Sequence, residues 1–574
     1  MKTALITLAA ALLLPANVMA DSTSESKEVK IFATTDVHGS FFPYDFIEAR
    51  PLNGSLARVA SYVKRARKNN PDGVILLDNG DILQGQPINY FYNFIEADEP
   101  NIAAQCLNYM NYDAHTCGNH DIEPGAPCYT QFFKALNCPV LGANIIDTAT
   151  DRPYLKPYTV ITRHGIRIAV IGLITPAIPH WLMPEVWQGL QFTDMATAAQ
   201  QWVAHVKKTE QPDIIVGLFH SGRQGGITLP GCRENTCEEI ARQVPGFDII
   251  IYGHDHRPAC ETVHNASHGS VLLINSGNAA RQIAEITLTI EKGCVSGKSG
   301  KLVNVANEQP DQEYMDHFSA QIEKVKQWAA RRIGNITHTI TTRDCFFGPS
   351  AFTDLIHNLQ LQITGADISI AAPLTFNATL HKGNITVADM FKLYKYENTL
   401  CVLRMTGREI RQHLEMSYAQ WVSTMTSPDD HIMLLNTERA THERAVFQHM
   451  YFDFDSAAGI DYIVDVTKPA GQRVVILQKS DGTPFLEDKT YNVAMNSYRA
   501  NGGGQLLTHG AGIPKDELPQ RIISQTPLDQ RHYLMMQIQQ MQTISPQPNA
   551  NWHFAPKKWT DNAIKRDRKL IFGE

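Results

Sequence analysis

Five short segments of this chain place carboxylates, imidazoles and an amide where they could hold metal ions. They are Asp36-Val37-His38, Gly80-Asp81, Gly118-Asn119-His120-Asp121, His220 and Gly253-His254-Asp255-His256. A mixed oxygen and nitrogen donor set suits Zn, Mn, Fe, Co or Ni. Alternate residues of an extended segment share a face, so Asp36 with His38, and His254 with His256, read as chelating pairs. Asp81 follows Asp78-Asn79-Gly80 as a lone carboxylate and reads as the bridge between two ions. One histidine at a strand end is usually structural. Five such segments in this order are not explained that way.

The elements that must position these residues are legible around them. From Val29 to about Val305, short apolar strands alternate with amphipathic helices. Strands are expected at Ile31-Phe32-Ala33, Val74 to Leu77, Ile168 to Ile174, Ile214 to Leu218 and Ile249 to Tyr252. Leu56 to Arg67 and Met195 to Lys208 carry helical spacing. Each strand runs into one of the polar segments or a similar one. Ligands of α/β sheets gather outside the carboxyl ends of the strands, so these loops should share one site. Asp311 to Ile333 spaces Met315, Phe318, Ile322, Val325 and Trp328 as one long helix, either a connector to a second α/β unit or a helix simply packed on the first. The second unit shows strands at Ile368 to Ala371, Leu400 to Met405 and Tyr491 to Met495. Ser545 to Pro556, rich in Pro and Asn, reads as an extended surface tail.

The chain has 574 residues, too many for one core, and divides into a leader over 1–20, units over 28–310 and 336–535, a connector over 311–335 and a helix and tail over 536–574. Its net charge of -7, without long runs of one sign, excludes a duplex nucleic acid as the natural partner. Small phosphates remain possible where metals supply local positive charge. Lys2, the apolar run Ala4 to Leu14 and Val18-Met19-Ala20 form a secretory signal, so an exported protein, periplasmic or extracellular, is expected. No later stretch approaches the roughly 18 apolar residues of a membrane span. Ten cysteines could pair after export, with Cys232–Cys237 and Cys128–Cys138 as candidate bridges; no CxxC pair suggests a zinc cluster. The oligomeric state is open, a monomer being compatible.

The set D-x-H, G-D, G-N-H-[DE], H and G-H-x-H resembles that of the calcineurin-like metallophosphoesterases. The second unit resembles the C-terminal domain of the 5′-nucleotidase family through Tyr394 to Thr399, Met405-Thr406-Gly407-Arg408-Glu409 and Asn496 to Gly504. Within that family the chain is similar to the periplasmic 2′,3′-cyclic-nucleotide 2′-phosphodiesterase/3′-nucleotidases, through Leu76 to Asp81 with Gln84-Gly85, and through Gly459-Ile460-Asp461-Tyr462 and Asp465 to Pro469. The resemblance implies a four-layer α/β-β/α sandwich joined by a helix to a C-terminal α/β domain, and two divalent metal ions. It implies that Asp36, His38 and His256 hold one metal, that Asp81 bridges, and that Asn119, His220 and His254 complete the second site. His120 would stabilise the transition state or protonate the leaving oxygen. Glu123 would orient it, although the family usually has an aspartate there. Tyr396 and Tyr498 would sandwich the base, with Asn398 as a polar contact.

The function so implied is hydrolysis of small-molecule nucleotides, 2′,3′-cyclic nucleotides to 3′-nucleotides and then nucleosides. A 5′-nucleotidase or UDP-sugar hydrolase is the enzymatic alternative, and a non-catalytic nucleotide-binding protein the alternative of another class. In the family's 5′-nucleotidases the second domain supplies arginines near the phosphate. Ala371 to Asn377 contains none; the next cation is Lys382, and Arg343 or Arg499 could replace it.

Overall fold

The computed structural model describes residues 27–436 and 446–574, so the leader lies outside the described residues. Two six-stranded sheets form the first unit. Across one sheet the strands run Cys294–Asn304, Gln282–Glu291, Lys27–Thr34, Val74–Asp78, Ala114–Thr116 and Val140–Leu141. Across the other they run Ala259–His264, Ser270–Asn275, Ile249–Tyr252, Ile214–His220, Ile166–Ile174 and Tyr158–Arg163. The central strands of both sheets are parallel. Parallel strands covered on both faces read as continuous apolar runs, which is why Val74 to Leu77 shows no polar alternation.

The period of two still sorts those side chains. Ile31, Ala33, Ile75 and Leu77 join Val170, Val216, Leu218 and Ile251 between the sheets. Phe32 and Leu76 instead cluster with Val59 and Val63 of helix Leu56–Asn69. On the far side, Ala169, Ile171 and Leu173 cluster with Ala199, Val203 and Val206 of helix Met195–Thr209. The result is the expected α/β-β/α sandwich.

The second unit holds a five-stranded sheet in the order Ser456–Ala458, Ile368–Ala371, Thr490–Asn496, Thr399–Thr406 and Ile522–Asp529. Thr406 and Glu409 cap helix Gly407–Trp421 reciprocally, which gives the Met405 to Glu409 motif a local structural meaning.

Four expectations are corrected. The connector is two helices, Gln312–His317 and Ser319–Ala329, broken at Phe318. Its apolar face is spent on the first unit, since Tyr314, Phe318, Ile322 and Val325 belong to that core; Trp328 alone also touches a cluster of the second unit. The stretch ending at Pro556 is no surface tail either. Trp552–Ala555 pairs in parallel with Ile460–Asp465, and Trp552 and Phe554 are buried. Burying a side chain such as Phe554 stabilises by about 1.5–3 kcal/mol, enough to outweigh the extended, Pro-rich habit around it. Helix Gln530–Met541 also runs across the boundary read at 535–536. All ten cysteines are free, so neither candidate bridge is formed.

Candidate metal centre and nucleotide cleft

The expected ligands all stand at the carboxyl ends of parallel strands. Asp36 and His38 follow Lys27–Thr34, Asp81 follows Val74–Asp78, and Asn119 follows Ala114–Thr116. His220 ends its strand, and His254 and His256 follow Ile249–Tyr252. Asp36, His38, Asp81, His254 and His256 all adopt positive φ, between 48° and 70°. Such strain in non-glycine residues persists only where the surroundings hold it, and it concentrates at functional sites. Gly118 and Gly253 permit the crowding. A Cβ on Gly118 would stand 2.3 Å from the Asp81 carboxylate, and one on Gly253 2.0 Å from Thr35 Oγ1.

Two donor groups result. Ligand atoms of Asp36, His38 and His256 lie within 4.8 Å of one another, as do those of Asp81, His220 and His254. Asn119 Oδ1 is 3.2 Å from His220 Nε2, which adds it to the second group. Asp81 links the two: its Oδ2 is 3.1 Å from His220 Nε2 and 4.0 Å from His38 Nε2.

The hydrogen-bond pattern asks for cations. His220 Nδ1 donates to the Asn79 carbonyl at 2.6 Å, and His38 Nδ1 to the Gln84 carbonyl at 3.0 Å. In the neutral rings the Nε2 atoms therefore carry lone pairs. That of His220 faces two oxygen acceptors, and that of His38 faces His256 Nε2 at 3.0 Å. Converging lone pairs in a buried place are stabilised by a divalent cation, so the residues fit metals. Burial depresses His38 to about 3, aided by His256, and keeps it in the ligating form. Burial alone would lower His220 too, but the Asp81 carboxylate outweighs it and pushes the ring to about 10. Asp36 is held at about 2 against its burial, chiefly by His256. The centre demands positive charge.

His120 belongs to neither donor group. Its Nδ1 is hydrogen-bonded to Glu123 Oε2, so the longer glutamate reaches as an aspartate would. The ring is raised to about 9: burial opposes this, but Asp81 and then Glu123 prevail. His120 and Glu123 line a cleft of about 1080 Å³, shared with Asp81, Asn119, His254 and His256.

From the second unit, Tyr396, Asn398 and Tyr498 line the same cleft. Tyr498 is held from behind by Arg499, whose guanidinium lies 5.5 Å from the ring centre, and by Gly503, where a Cβ would stand 2.5 Å from the ring. This assigns packing to the Gly502-Gly503-Gly504 run. Arg499 is buried against Asp455 and Asp453, and Arg343 pairs with Glu574. Among the described residues, neither these two nor Lys382 lines the cleft, whereas Arg223 and Arg257 of the first unit do.

Asp121, inside the third motif, has no role in the sequence reading. Buried Asp121 accepts from the backbone N–H groups of Asp81, Ile82, Leu83 and Gly118 at 2.8–3.0 Å. It ties the Asp81 loop to the Asn119 loop. Its place beside His120 in Gly118-Asn119-His120-Asp121 was the available signal.

A four-layer sandwich with this donor set at its strand ends defines a metallophosphoesterase. Residues 29–258 match the family described as calcineurin-like phosphoesterase, and residues 332–509 match the 5′-nucleotidase C-terminal domain. The chain is 26% identical to a 2′,3′-cyclic-nucleotide 2′-phosphodiesterase/3′-nucleotidase of Haemophilus influenzae, over 92% of this chain and 88% of that one. It is 24% identical to the trifunctional nucleotide phosphoesterase protein YfkN of Bacillus subtilis, over 94% of this chain but only 40% of that longer protein. A crystal structure described as a putative 5′-nucleotidase from Staphylococcus aureus shares the fold, with a TM-score of 0.77 and 24% identity, covering 92% of this chain and 100% of that one. The chain belongs to the calcineurin-like metallophosphoesterases that carry a 5′-nucleotidase C-terminal domain, and it is a metal-dependent phosphoric ester hydrolase. No helix among the described residues is long and apolar enough to cross a membrane.

Proposed function

We propose that the protein is an exported dinuclear phosphoesterase that opens 2′,3′-cyclic nucleotides to 3′-nucleotides and then releases the nucleosides. The carrying observation is that one cleft joins the two donor groups of the first unit to Tyr396 and Tyr498 of the second. In this reading Asp36, His38 and His256 hold one ion, Asn119, His220 and His254 the other, and Asp81 is shared. Bound there, the ions would supply Lewis acidity to the phosphate and lower the pKa of water. His120, oriented by Glu123, delivers the proton to the leaving oxygen. Tyr396 and Tyr498 stack on the base, and Asn398 gives the nucleoside a polar contact. The leader-like residues 1–20 support export.

The cyclic preference rests on charge. A terminal phosphomonoester carries close to two negative charges near neutrality, whereas a cyclic diester carries one. With Arg343 and Arg499 paired elsewhere, no Lys or Arg of the described part of the second unit lines the cleft, and the arginines that do, Arg223 and Arg257, come from the first unit. The monoester loses more from that absence. Purified protein is therefore expected to show a higher kcat/KM for 2′,3′-cyclic AMP than for 5′-AMP; the reverse order would establish the 5′-nucleotidase alternative.

The stacking tyrosines separate base recognition from chemistry. Tyr396→Ala or Tyr498→Ala is expected to lower kcat/KM for nucleotides roughly 5- to 150-fold, as loss of about 1–3 kcal/mol of stacking would. Hydrolysis of a small aryl phosphodiester should change little. Equal damage to both substrates would mean that the rings support the fold.

A further inference from the structure

We propose that Glu234 is a positioning residue for the metal site that contains His254, an assignment that rests on the dinuclear reading above. Glu234 lies on a hairpin, Gly225–Leu229 paired with Cys232–Asn235, inserted between the strand that ends in His220 and helix Cys237–Gln243. Its Oε1 is 3.0 Å from His254 Nε2, with only 15% of the glutamate side chain and 13% of the histidine side chain exposed. An ionised carboxylate only accepts, so His254 Nε2 carries the proton and Nδ1 presents the lone pair.

The carboxylate is itself built into place. Its Oε2 accepts from Ile227 N–H at 2.6 Å. Gly226 leaves room for it: φ there is +74°, and a Cβ would stand 2.3 Å from that oxygen. The hairpin is stitched to the loop after His220, through Ser221 Oγ donating to the Glu234 carbonyl at 2.8 Å and Gly222 N–H donating to Asn235 Oδ1 at 2.8 Å. His38 and His220 are each oriented by a backbone carbonyl. For His254 that partner is an anion. A carboxylate behind a ligating imidazole fixes the tautomer and the ring and raises ligand basicity.

A residue that merely staples the hairpin would lower the melting temperature of the metal-free protein, whereas one that orients His254 would weaken one metal site and leave that temperature unchanged. The full chain, stripped of metal by chelator dialysis, is titrated with Mn²⁺ alone and the bound ions are counted. The wild type is expected to bind two. Glu234→Gln is expected to bind one as the wild type does and the other about 10- to 100-fold more weakly, with the metal-free forms melting alike. Gly226→Ala, which crowds the carboxylate, should give the same split and decides the matter if the first variant does not fold. Wild-type binding of both ions by these variants, or equal weakening of both sites, overturns the assignment alone. A wild type that binds a single ion overturns the dinuclear reading and this assignment with it.

Discussion

Asp81→Ala is expected to abolish turnover and to remove the response of the melting temperature to divalent metal. Asp81 is buried between the donor groups, and each of its oxygens is committed. Oδ1 accepts from the His120 N–H at 2.7 Å, and Oδ2 faces His220 at 3.1 Å and His38 at 4.0 Å. Without it, both histidine groups lose the anion they share, so loss at one site propagates to the other. A ligand present at 100 times its Kd stabilises the folded state by about 2.7 kcal/mol, and the variant should lack that increment. The fold itself should survive, because the apolar clusters between and outside the sheets do not include this loop carboxylate. Circular dichroism and melting of the metal-free protein check this. Retention of full metal content and rate would remove Asp81 from the bridging position.

Legibility followed local pattern. Strands such as Ile249–Tyr252 were readable because a buried parallel strand is apolar throughout, and the polar segment after it marks its carboxyl end. The seven expected ligands converge because topology alone carries such ends to one edge of a sandwich. Where tertiary packing overrode composition, reading failed. Trp552 and Phe554 point one way from a short strand, a period-two signal hidden by the Pro and Asn residues before it. Phe318 fits a continuous helical spacing, yet the chain breaks there so that Tyr314 and Phe318 can both fill the first core. Glu234 had no sequence signal, since a residue 20 positions before His254 has no fixed geometric relation to it until the hairpin folds. Cys232 and Cys237 lie close in sequence, but Cys237 Sγ donates to the Ser221 carbonyl instead of pairing.

His120→Ala is expected to retain both metals and to lose about 10²- to 10⁴-fold in kcat on nucleotide esters, the range of a general-acid contribution. The geometry separates His120 from the ligands. Its Nδ1 is taken by Glu123, its backbone N–H by Asp81, and its side chain stands outside both donor groups while lining the cleft. Nε2 is then the ring atom left to meet a leaving oxygen. A nucleoside alkoxide is a strong base and needs a proton as it departs, whereas a nitrophenolate departs without one. The defect should therefore be large on 2′,3′-cyclic AMP and much smaller on a nitrophenyl phosphodiester. Glu123→Gln should fall between the wild type and His120→Ala on the nucleotide, because an amide oxygen can still orient the ring without sharing its charge. Equal losses on both esters would mean that His120 stabilises charge and delivers no proton. Loss of an ion in His120→Ala would make the histidine a ligand, and the proton would then have to come from elsewhere in the cleft.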